Sequence, residues 1–185
     1  AFIWDFILTP IRSGEESLRY NQQIALQIPD RNSPFPSFFQ RTRTEPVTLS
    51  TENADLTLQP LPTETRPEGF FDAIGEFDIR ADLSSRDLQV GEPLTLTLTV
   101  EGEGNFARMA PPSVPEWPDW RVYAPKETFE PADERGFEGR KAFEYILIPR
   151  STEITEIPEL RLATFNPRTG AYVTTLIEPE PVSVR

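Results

Sequence analysis

Along the second half of the chain, apolar and polar residues alternate with a period of two. Phe77, Ile79, Ala81 and Leu83 are interleaved with Asp78, Arg80 and Asp82. Leu94, Leu96, Leu98 and Val100 are interleaved with Thr95, Thr97 and Thr99. Successive side chains of a strand point to opposite faces, so each run predicts a strand with one buried face. "VGEP" at Val90 to Pro93 reads as the turn between them. "GEGN" at Gly102 to Asn105 reads as a reversal, because Gly and Asn tolerate positive φ. Met109 to Trp120, "MAPPSVPEWPDW", carries four prolines. They exclude helix and central strand and predict an extended crossover. A strand is expected to resume at Trp120 to Tyr123, and a charged hairpin around "ADERG" follows. Phe137 to Ile148 predicts a long strand stopped by Pro149. Leu160 to Phe165 and Ala171 to Ile177 flank "NPRTG", a turn between antiparallel strands. Pro181 to Val184 closes the pattern as a short edge segment.

The first half repeats part of this order. "AFIWDFILTP" opens the chain, and "AFEYILIPR" stands at Ala142 to Arg150. Laying Pro10 on Pro149 gives an offset of 149 − 10 = 139 and pairs Leu8 with Leu147 and Trp4 with Phe143. Gln23 to Ile28, Val47 to Leu49 and Leu56 to Leu58 then predict further strands. The expected fold is all-β: tandem immunoglobulin-like β-sandwiches, the first incomplete at its N-terminal side. Residues 1–59 would be the C-terminal half of the first sandwich, 60–73 a proline-rich linker, and 74–185 a complete sandwich. The missing strands of the first would come from preceding sequence or from another chain. Phe70 and Phe71 follow the linker. Leaving two large rings in water is costly, since burying one contributes about 1.5–3 kcal/mol. At least one is expected to wedge between the units.

Composition supports the β reading and narrows the chemistry. Twenty prolines in 185 residues rule out long helices. A net charge of −12 argues against non-specific nucleic-acid binding, which needs clustered Lys and Arg. Cysteine and histidine are both absent, which removes disulfides, thiolate metal sites and the commonest general base. A hydrolase would have to rest on paired carboxylates, and Glu127, Glu130, Asp133, Glu134 and Glu138 crowd one loop. A solvated hairpin tip explains that crowd as well. Glu52, Asn53 and Asp55 offer oxygen ligands, but without the spacing of a calcium loop. No cofactor or small-molecule substrate is expected. Trp117 and Trp120 could stack on sugars, as in a carbohydrate-binding module, or fill the core. "RNSPFPSFFQRTR" at Arg31 to Arg43 is an aromatic and basic insertion in an acidic chain. Its Phe35, Phe38, Phe39, Arg41 and Arg43 are candidate protein contacts, because long insertions at hairpin tips often carry binding.

Taken together, "LPTETRPEGFFDAIGEFDIRADL", "VGEPLTLTLTVEGEGNF", "GRKAFEYILIPR", "IPEL", "FNPRTGAYVT" and "EPVSV" resemble the BatD family of bacterial oxygen-tolerance proteins. The chain departs from the family's pattern at Glu153, where a glycine is usual, and at Leu18 and Arg19, which stand where Ile157 and Pro158 lie in the second copy. The resemblance implies a non-enzymatic periplasmic arm, tethered to the inner membrane by segments outside these residues. It implies partners with von Willebrand A-type domains and, indirectly, a MoxR-type ATPase.

Replacing Phe38 and Phe39 by Ser is expected to weaken partner capture while leaving the melting temperature within a degree or so, as for exposed positions (about ±0.5 kcal/mol). A large drop in thermal stability would place both rings in a core instead.

Overall fold

The computed structural model describes residues 8–10, 12–29 and 42–185. All regular elements among them are strands. The chain separates into a smaller compact unit, Pro10–Leu61, and a larger one that contains Pro62–Arg185.

The smaller unit holds β1 (Gly14–Leu18), β2 (Asn21–Pro29), β3 (Thr42–Ser50) and β4 (Ala54–Leu58). β2 pairs with β3, and β1 pairs with β4, both antiparallel. Ile24 lies opposite Val47, Gln22 opposite Leu49 and Leu26 opposite Glu45, so the ribbon's larger apolar residues share one face with polar ones.

The larger unit begins with β5 (Phe70–Leu83), four residues earlier than the Ile74 boundary read from sequence. There follow β6 (Asp87–Leu88), β7 (Leu94–Gly104), β8 (Trp120–Val122), β9 (Lys126–Pro131), β10 (Glu138–Pro149), β11 (Glu156–Ile157), β12 (Leu160–Asn166), β13 (Ala171–Ile177), β14 (Glu180–Pro181) and β15 (Ser183–Val184). Seven of these form one curled sheet in the order β13-β12-β5-β7-β10-β8, with β9 also on β10. β11–β14 and β15–β6 are small separate pairs. The pairing of β12 with β5 is parallel, which hairpin signals in the sequence do not reveal.

The alternation read from sequence fixes the core. Leu94, Leu96, Leu98 and Val100 are all buried, and their threonine neighbours are not. Across the ladder, Leu96 faces Tyr145 and Leu98 faces Phe143 of β10. Leu160 and Leu162 of β12 and Val182 and Val184 near the C-terminus complete the same cluster.

β5 serves both ends of this curl. Its first residues pair with β12, and the stretch from Gly75 to Leu83 pairs with β7. Between them the strand bulges: the register shifts, and Asp72 has φ 57°, a left-handed value. Asn105 braces the bulge. Its Oδ1 accepts from the Ile74 amide at 2.7 Å, and its Nδ2 donates to the Asp72 carbonyl at 3.0 Å. Its own backbone amide donates to the Ile74 carbonyl.

"GEGN" is not a reversal. β7 runs on through Gly102 to Gly104, and the turn comes after it. The glycine is needed for close approach: a Cβ on Gly102 would lie 2.1 Å from the Glu76 carbonyl oxygen on β5. Phe77 lies over the glycines at the strand end and meets Phe106 edge-on at 5.3 Å.

Residues 1–7 of the opening phrase lie outside the described residues. β1–β4 pair outside β2–β3 in sequence, as β11–β14 pair outside β12–β13.

Asn105→Ala is expected to destabilise the larger unit by about 1–2 kcal/mol, because the part-buried Ile74 amide loses its acceptor and the Asp72 carbonyl its donor. Asp72→Gly, which relieves the left-handed backbone, should not destabilise by that route. Urea denaturation followed by tryptophan fluorescence measures both.

Candidate functional site

The crossover from Asn105 to Asp119 is tied to the sheet by two side chains of β10. Lys141, Phe143, Tyr145 and Leu147 lie at alternate positions and all point inward. Lys141 is only 7% exposed. Its Nζ donates to the carbonyls of Met109 (2.9 Å) and Phe106 (3.3 Å) and pairs with the Glu127 carboxylate at 2.9 Å. It also lies 5.1 Å from the centre of the Phe143 ring. The Tyr145 hydroxyl donates to the Pro112 carbonyl. A proline-rich segment has carbonyls to satisfy but few amides to offer, and these two donors meet that need. Burial, assisted by the nearby Glu127 carboxylate, pushes the Tyr145 phenol well above the ordinary tyrosine range. Lys141 is not singled out by sequence reasoning. The signal was present: period two places this one cation among inward-facing residues.

Beyond the crossover lies an open hollow of about 650 Å3, lined by Trp117, Trp120, Tyr123, Tyr145, Glu116 and Arg150 among others. Trp117 and Trp120 are 8% and 5% exposed and belong to the core cluster. Sugar stacking needs an open ring face, so this pair does not form the platform a carbohydrate-binding module would use.

The other sequence candidates are distributed as follows. Phe35, Phe38, Phe39 and Arg41 lie outside the described residues. Arg43 is on β3 and pairs with Glu45 two positions on. Phe71 is 3% exposed and sits in the core of the larger unit. Phe70 packs edge-on against Tyr172, with ring centres 5.1 Å apart. β5 includes both rings, and these neighbours belong to the larger unit.

The crowded acidic loop is held together by one of its own members. Asp133 Oδ1 accepts from the amides of Phe137 (2.8 Å) and Glu138 (3.0 Å), and Arg135 lies beside it. Slight burial would raise its carboxyl, but the two amides and Arg135 outweigh that and hold it below the usual range. Among the described residues, no group of three or more acidic side chains is placed to hold a metal ion. The acids of the outer sheet face are partly matched by arginine: Arg140 meets Glu101 at 3.2 Å, and Arg168 bridges Glu76 (3.2 Å) and Glu103 (3.4 Å).

An unfolded tyrosine ionises near pH 10, while Tyr145 in the folded protein keeps its proton beyond that. Its contribution is therefore complete below about pH 10 and is lost as the pH rises above it, where the folded state binds more protons than the unfolded state. Tyr145→Phe should flatten the fall in stability between about pH 10 and 11.5, read from urea midpoints at each pH.

Comparison with curated proteins and with solved structures yields no match. The family model described as the BatD DUF11-like domain matches residues 81–177. These residues run from the last three residues of β5 to the end of β13 and include Gly102, the crossover clamp and the β12–β13 hairpin. The match covers more than half of the 185 residues, and the chain belongs to the BatD family.

Proposed function

We propose that the protein is a non-enzymatic, extracytoplasmic arm of a membrane complex, built from immunoglobulin-like modules and acting through contacts with other proteins. Family membership over residues 81–177 carries this reading. The BatD domain is not a known enzyme family. The outer face of β5, β7 and β10 fits the same role. It is a broad polar surface whose charges are set by ladder register: Asp78 opposite Glu101, and Glu101 opposite Arg140. A rigid sheet presents such a pattern with little ordering cost, which favours recognition of another folded surface.

The partners proposed are membrane proteins with von Willebrand A-type domains and, through them, a MoxR-type ATPase. The proposed location is the periplasmic side of the inner membrane, and the proposed role lies in aerotolerance. The aromatic-basic insertion with Phe35, Phe38, Phe39, Arg41 and Arg43 is the candidate contact in the smaller unit.

Cross-linking in intact membranes followed by affinity capture tests the reading. Von Willebrand A-type proteins should be enriched with the wild type, and enrichment should fall several-fold when Glu101 and Arg140 are exchanged for residues of opposite charge. Recovery of cytoplasmic proteins alone would overturn it.

A further inference from the structure

The segment Pro62–Phe70 lies within the stretch 60–73 expected from its prolines to be a stiff linker, and it is fastened to the sheet through Tyr172 of β13 and, at its end, against β12. The Tyr172 hydroxyl donates to the Pro62 carbonyl at 2.9 Å. Arg66 Nε donates to the same hydroxyl at 3.4 Å, and its guanidinium lies 5.4 Å from the centre of the Phe70 ring. Phe70 in turn meets the Tyr172 ring edge-on, and Phe165 meets that ring from β12, with centres 5.1 Å apart in each case. At the end of the segment, the Gly69 carbonyl accepts from the Ala163 amide at 3.0 Å. Gly69 has φ 85°, and a Cβ there would lie 2.1 Å from the Arg161 carbonyl oxygen, so the backbone is seated directly against β12.

We infer that residues 62–70 form a strap latched by Tyr172, so that the segment moves with the larger unit rather than as a tether. One phenol closes the stretch ahead of Gly69. Its oxygen holds both the strap's first carbonyl and Arg66, while its ring holds Phe70. The freely articulating part of the joint then shrinks to Gln59, Pro60 and Leu61, between the end of β4 and the latch. This inference is independent of what the protein binds. Opening the latch would lengthen that joint threefold or so, and proline stiffness would then govern its reach.

The test uses the full 185-residue chain and two readouts. Backbone 15N relaxation should give Thr63–Arg66 order parameters close to those of β5 (about 0.85). A glutamate-specific protease should cut slowly after Glu64, because cleavage needs the strap to open. Tyr172→Phe retains the ring contacts and removes only the hydroxyl. It should speed cleavage at Glu64 about five-fold, the change expected for one hydrogen bond, with cleavage at Glu134 in the distant loop unchanged. Tyr172→Ala should speed it further. Order parameters of an unstructured segment (below about 0.6) at Thr63–Arg66 in the wild type would overturn the inference. So would unchanged Glu64 cleavage in both variants.

Discussion

The fold of the larger unit depends on a bend in one strand. β5 pairs with β12 at its start and with β7 for the rest of its length, and it can do so because the bulge at Asp72 turns it between the two. A continuous flat sheet would leave the inner faces of β7 and β10 facing water. The bend brings Leu160 and Leu162 over them, and the hydrophobic effect then acts on one closed core. Asn105 is the counterpart of the bulge. A bulge leaves backbone groups without ladder partners, and an amide side chain has the donor and acceptor needed to serve both Asp72 and Ile74.

The crossover solves a related problem with different means. Its prolines prevent it from joining the sheet, yet it runs over buried rings and leaves carbonyls in an apolar setting. Lys141 and Tyr145 supply the missing donors from the inner face of β10. A buried cation is costly alone, but here it has two carbonyls, a carboxylate and the face of Phe143. Lys141 and Tyr145 thus place polar atoms inside an apolar layer where backbone cannot pair with backbone.

Much of this was legible in the sequence. Period-two alternation located β7 and the second half of β5, and proline content marked the crossover. The family followed from the combined pattern of turns and strands. What the sequence hid were features set by distant partners. The parallel seam between β5 and β12 leaves no local signal. The GEGN glycines look like turn residues, although Gly102 serves a close approach across strands. Phe70 and Phe71 look like linker residues because prolines precede them, whereas the strand has already begun. The short β1 also escaped notice, since Gly14 reads as a turn and its partner β4 lies far along the chain. Of the contact candidates, Phe35, Phe38, Phe39 and Arg41 rest on composition, outside the described residues.

Met109 has a significance beyond its carbonyl's contact with Lys141. It is the single methionine in these 185 residues, which contain no cysteine, and its side chain is 3% exposed. Thiols and accessible thioethers are the groups that peroxides attack first, and sulfoxide formation in a core disrupts packing. An oxidant in solution therefore meets no sulfur on the surface of this module. Its shape is maintained by backbone pairing, leucine packing and amide brackets, none of which changes with redox state.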